Sequence, residues 1–168
     1  MQQVVHKLED IMKLQGEIYR EIYNIEENKS EAILKKAGKA IEELSTVQEK
    51  LIGKIESLEK ERAKLMDGYR KYTGLHLNEN EITLLDIIDS VDSKSGSALK
   101  QAGLELKKIL LKVKSIQELN TRLLKDNMEF FDILISGLKN SSTLRSGYDR
   151  DGKEKGRVFN PVLFNIKA

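Results

Sequence analysis

The chain has 168 residues, of which 33% are charged and 5% aromatic, with one proline, no tryptophan and no cysteine. That mixture suits long amphipathic helices with apolar stripes rather than a thick core, and it excludes disulfides and thiolate metal sites. The formal net charge of +2 is built from interleaved signs and offers no broad field for nucleic acid, and the charged amino end is neither a signal peptide nor a membrane span, so a soluble cytoplasmic protein is expected.

Leu8, Ile11, Gln15, Ile18, Ile22, Ile25, Lys29 and Ala32 alternate in steps of three and four, which keeps one stripe on one side of a helix and predicts a first helix over residues 3–36. Ile41, Leu44, Gln48, Leu51, Ile55, Leu58, Arg62, Leu65, Tyr69 and Tyr72 repeat the pattern and predict a second helix over 39–72. Extending the first stripe places seam positions at Lys39, Glu43, Thr46 and Lys50, five residues out of phase with the second stripe. One unbroken coiled coil cannot make that jump. The break therefore falls at residues 36–39, where Gly38 is expected to take the left-handed conformation that ends a helix, and the two helices fold back as an antiparallel hairpin.

From Thr73 to Gly96 the pattern is interrupted, and only TLLDIIDSV reads as a short connector helix, about 83–91, with Thr83 as its cap. Leu99, Ala102, Leu106, Ile109, Val113, Ile116, Asn120, Leu123, Asn127, Phe130 and Leu134 then predict one continuous helix over 97–139. Its length, on the order of 65 Å against about 50 Å for each hairpin arm, implies a carboxyl half that overhangs the hairpin. Leu124, Phe130, Phe131, Leu134, Ile135 and Leu138 form an apolar arc wider than one seam, which needs two neighbours. The expected fold is all-α: an elongated antiparallel hairpin plus a long third helix, a coiled-coil-like bundle in one domain over residues 1–140. A flexible tail is expected over 141–168. From Lys139 onward the chain carries seven basic and three acidic residues, yet closes with an apolar cluster that includes Phe159, Leu163 and Phe164.

Little chemistry is on offer. His6 and His76 stand on separate segments without metal-ligand spacing, and DRDGK at 149–153 starts like a calcium loop but fails from its fifth position onward. The expectation is no catalytic, cofactor-binding or metal residues, hence no enzyme, no cofactor and no small-molecule substrate. Glu26-Glu27 and Glu42-Glu43 read as solvated faces, whereas Lys29, Gln48 and Arg62 on the seams read as register-fixing polar groups. Asn120 and Asn127 leave two readings open, as register-setting amides inside the bundle or as groups facing a partner.

EKLIGKIESLEKERAKL (49–65), ITLLDII (82–88) and ELNTRLLKDNMEFFDILISGL (118–138) resemble, in that order, the spacing of the second helix, the short connector and the Asn-rich third helix of the FlgN family of flagellar type III export chaperones. GYDRDGK (147–153) followed by VLFNIKA (162–168) is similar to the tail of many members. The likeness covers nearly the whole chain in order. One departure is Leu123, where many members place a second asparagine three residues after Asn120. The resemblance implies a cytoplasmic chaperone, non-enzymatic and free of metal or ATP, which binds the hook-filament junction proteins FlgK and FlgL and delivers them to the export apparatus. The client-binding residues are expected to be Phe130, Phe131, Leu134, Ile135 and Leu138, supported by Leu123, Leu124 and Asn127. Tyr148, Phe159, Leu163 and Phe164 are expected as tail contacts, with the tail covering the client groove in a free protein that is a monomer or weak homo-oligomer. A structural coiled-coil spacer or adaptor would share the stripes.

Overall fold

A computed structural model describes residues 2–74 and 83–143. Along these the chain forms α1 (Gln2–Leu34), α2 (Gly38–Thr73), α3 (Leu84–Ser90), α4 (Ser93–Asp126) and α5 (Met128–Thr143), with no strand among the described residues. The first compact unit runs from Met1 to Phe131, and a second begins at Asp132, so that α5 starts in one and continues in the other. No described helix is long and apolar enough to cross a membrane.

The phase jump between the first two stripes is realised as a hairpin. α1 closes when the Lys36 N–H bonds the Ile33 carbonyl at 3.0 Å and the Ala37 N–H reaches back to Ala32 at 2.8 Å, the paired bonds of a Schellman cap. The left-handed residue is Lys36, at φ 54°, and not Gly38, which already opens α2. The expectation for Gly38 thus fails by two positions. A side chain in this conformation costs about 1–2 kcal/mol, and the Lys36 Nζ lies over the Phe130 ring, 5.4 Å from its centroid, so a distant contact bears on a local choice.

Cross-helix contacts fix the directions. Gln15 bonds Glu59 while Glu26 and Lys29 bond Gln48, numbers that run oppositely, so α2 is antiparallel to α1. Met12 lies beside Gly103 and Glu26 bonds Gln117 and Asn120, numbers that rise together, so α4 is parallel to α1. α1 is therefore the central helix, and it buries adjacent pairs such as Ile11–Met12, Ile18–Tyr19 and Ala32–Ile33 because it has two neighbours. Around it Leu8, Ile22, Leu51, Ile55, Leu99, Leu106 and Val113 form the apolar core, each fully buried side chain contributing about 1.5–3 kcal/mol. Tyr72, expected on the second seam, is exposed.

The connector is capped at both steps. Thr83 accepts from the Asp86 N–H while the Asp86 carboxylate accepts from the Thr83 N–H at 2.7 Å, a reciprocal capping box. Hydrogen bonds from the Thr83 hydroxyl and N–H hold the Asp86 carboxyl below the usual carboxylate range. Asp92 caps α4 by accepting from Ser95, a bond that likewise lowers its pKa. Tyr69 meets Ser90 at 2.7 Å, joining the end of α2 to α3.

The third stripe does not make one helix. α4 has 34 residues, between the 33 and 36 of the two arms, and stops at Asp126. Asn127 is the cause: its side-chain Nδ2 takes the Leu123 carbonyl at 2.9 Å, which in a continuing helix belongs to its own backbone N–H. That N–H turns to Leu124 at 3.2 Å, and the Asn127 carbonyl accepts from Phe130 and Phe131 to start α5.

Candidate client-binding site

The asparagine expected to be a seam residue or a partner contact is a node of a buried polar layer. Asn120 uses both amide protons on Glu26, one to the carboxylate Oε2 at 2.7 Å and one to the backbone carbonyl at 2.8 Å, and its Oδ1 accepts from Ser30 Oγ. Glu26 Oε1 accepts from Gln48 at 2.7 Å and Gln117 at 3.3 Å, while Lys29 donates to Gln48 and stands 3.9 Å from the carboxylate. Three helices thus meet at one carboxylate. Burial lowers the Lys29 pKa, and the charge of Glu26 partly restores it. Glu26 itself, expected on a solvated face, is only 5% exposed.

A second polar layer lies toward the other end. Glu59 accepts from Gln15 at 3.0 Å and from Arg62, and although burial pushes its carboxyl up, these bonds outweigh it and hold the pKa below the ordinary value. Among the described residues the amide oxygen of Gln15, Oε1, is buried without a donor. Tyr19, beside this layer, is pushed up to about 12 by burial and then by the charge of Glu59.

The expected client residues are distributed unevenly. Leu123, Leu124, Asn127 and Phe130 are half-buried. Phe131 is 8% exposed, stacked edge-on against Phe130 at 5.2 Å, so it is not the available anchor the sequence suggested. With Ala32 and Ile33 it is buried outside the main apolar cluster, and the Lys36–Phe130 contact places the start of α5 beside the hairpin turn. Ile135 is 49% exposed, and the neighbouring Ile133, which the stripe did not single out, is 75% exposed, as Met128 is too in large part. The Leu134 and Leu138 side chains, the tail contacts Tyr148, Phe159, Leu163 and Phe164, and His76 lie outside what is described.

Ile133 was concealed by the heptad rule, since it lies between stripe positions, whereas Ile135 was among the residues expected. Glu26 was concealed by its neighbour Ile25, which occupies the seam. The available signal was the run of Lys29, Gln48 and Asn120 on facing stripes, three polar side chains that required a shared counterpart.

The geometry offers a polar layer shared by three helices and exposed apolar side chains at Met128, Ile133 and Ile135 on α5. Comparison with curated proteins and with solved structures gives no match. The sequence model of the family described as FlgN protein matches residues 1–156. The chain belongs to the FlgN family, and with it to the flagellar export chaperones.

Proposed function

We propose that this chaperone holds the terminal segments of the hook-filament junction proteins FlgK and FlgL in the cytoplasm, prevents their premature association and hands them to the flagellar export apparatus. The observation that carries the reading is the exposure of Met128 and Ile135, seven residues apart on one side of α5, with Ile133 exposed about 200° around the helix from Ile135, apolar surface that a soluble helix normally turns inward. An amphipathic client helix laid on the Ile135 face would bury it with anchors at three and four spacing, and Ile133 would meet a second segment of the client. Leu123, Leu124, Asn127, Phe130 and Phe131 support the platform, and Leu134, Ile135 and Leu138 belong to the contact set. The tail residues Tyr148, Phe159, Leu163 and Phe164 compete for the same face in the free protein, because a tethered apolar segment reaches effective concentrations of about 1 mM.

The test titrates FlgK and FlgL terminal segments against the wild type and against Ile133→Asp/Ile135→Asp. Both positions are exposed, so helicity should be preserved while affinity falls more than about tenfold. Unchanged affinity rejects the α5 face. Truncation after Ser146 should tighten binding of an isolated client helix. A weaker or equal affinity on truncation rejects the competing tail.

A further inference from the structure

Several lysines and arginines of α1, α2 and the turn between them sit beside carboxylates: Lys13 with Glu9, Lys35 with Glu31, Lys39 with Glu43, Arg62 with Glu59 and Lys71 with Asp67. The outward face of α4 differs in composition, being almost purely basic. Between Ser97 and Ile116 there are five lysines and one glutamate, and among the described residues none of those lysines has a carboxylate within 4.0 Å. Three of them, Lys100, Lys107 and Lys114, recur every seven residues. Beside that ridge stand Leu104 and Leu111, also seven apart and exposed by 54% and 55%. Lys108 and Lys112 line the far side of the leucines, and all five lysines are exposed.

We propose that this face of α4 docks an acidic amphipathic helix of a partner protein, with the partner's apolar residues over Leu104 and Leu111 and its carboxylates along Lys100, Lys107 and Lys114. A heptad step corresponds to a rise of about 10.5 Å, the repeat with which one helix meets another along a seam flanked by charges. Charge excludes the nearer occupants. The chain's own carboxyl-terminal stretch carries a net +4 from Lys139 onward, and a two-fold dimer through this face would set lysines against lysines. A head-to-tail contact with an acidic face of another copy would build rings or filaments, which sedimentation of the free protein detects. A bilayer would call for a broad apolar arc, and two leucines between lysine rows are too narrow. The surface lies wholly on α4 and uses no residue of the α5 client face, so either assignment can fail without the other.

The experiment uses the full chain and a labelled synthetic helix of about three heptads with leucine at its seam and glutamate on both flanks, alongside a control in which lysine replaces each glutamate. The acidic helix should bind in fluorescence anisotropy, weaken as salt is raised, and lose at least about tenfold in affinity to Lys107→Glu/Lys114→Glu and to Leu104→Ser/Leu111→Ser. These positions are exposed, and circular dichroism confirms that each variant folds. Equal binding of the lysine control, or retention of affinity by the charge-reversed chain, overturns the proposal. So does a wild type that floats with vesicles of phosphatidylglycerol and phosphatidylcholine but ignores the acidic helix, or one whose self-association in sedimentation is abolished by the lysine reversals.

Discussion

Replacing Asn120 by leucine restores the apolar residue that the heptad stripe asks for, and on a pattern argument alone it should stabilise the protein. The structure gives the opposite sign. The substitution removes the donor to Glu26 Oε2 at 2.7 Å and the donor to the Glu26 carbonyl at 2.8 Å. Stranding a buried charged acceptor costs about 3 kcal/mol and losing the neutral bond about 1 kcal/mol, while the leucine recovers about 2 kcal/mol of apolar burial. Asn120→Leu should therefore lose about 2 kcal/mol, a large share of a stability of about 5–15 kcal/mol. Urea unfolding followed by far-ultraviolet circular dichroism, with the slope unchanged, measures it. Glu26→Leu should cost about 3–5 kcal/mol by leaving Lys29 and the amide donors without their acceptor, and the double variant should fall short of the summed losses by about 2 kcal/mol. An Asn120→Leu protein as stable as the wild type, or losses that add, would refute the idea that the layer acts as a unit.

Lys36→Gly should gain about 0.5 kcal/mol, since relief of left-handed strain, about 1 kcal/mol, exceeds an exposed cation–π contact of about 0.5 kcal/mol; Lys36→Met should lose about 0.5 kcal/mol, and thermal midpoints separate the two. Gly53 lies mid-helix with nothing within 4 Å of an added Cβ, so Gly53→Ala should stabilise by about 1 kcal/mol, whereas a Cβ at Gly96 meets the Ile88 backbone carbonyl at 3.0 Å, and Gly96→Ala should lose about 1 kcal/mol by forcing α3 from α4. Tyr19 titrates near 10.0 when unfolded and near 12 when folded, so the folded state holds its proton longer. Its contribution is complete below pH 10 and is lost on rising to 12, by about 2.7 kcal/mol, and Tyr19→Phe should flatten that alkaline slope in unfolding titrations.

The hairpin was legible because a five-residue phase jump has no other solution, and the Thr83 cap because hydroxyl and carboxylate stand at the spacing of a capping box. Other features depend on information that no local stripe carries. Glu26 is buried because α1 packs against two helices at once, which widens its buried arc past a single seam. The interruption at Asn127 is hidden because one residue leaves the helix and the apolar pattern resumes in phase at Phe130. At the turn, local preference favours Gly38, but Lys36 meets a ring 94 positions along the chain. For the client face, the arc of apolar residues was visible while its division into buried Phe131 and exposed Ile135 was not, since burial is decided by which neighbours end level with it.

The polar layer also answers a problem that apolar stripes create. α1 and α4 are parallel and both repeat every seven residues, so sliding one along the other by a heptad would set most leucines and isoleucines against equivalent neighbours. Such a slip shifts α4 by about 10.5 Å and changes apolar burial little, because the stripe is nearly self-similar. It would, however, part Asn120 from Glu26 and Gln117 from the same carboxylate, leaving a buried charge short of donors, and it would carry Phe130 away from Lys36. The penalty is concentrated in one layer and has no counterpart a heptad away: the residue seven before Asn120 is Val113, which has no amide to offer, and the residue seven after it is Asn127, whose amide is already committed to Leu123. The carboxylate of Glu26 thus sets where α4 ends against the hairpin turn, and with it where α5 begins.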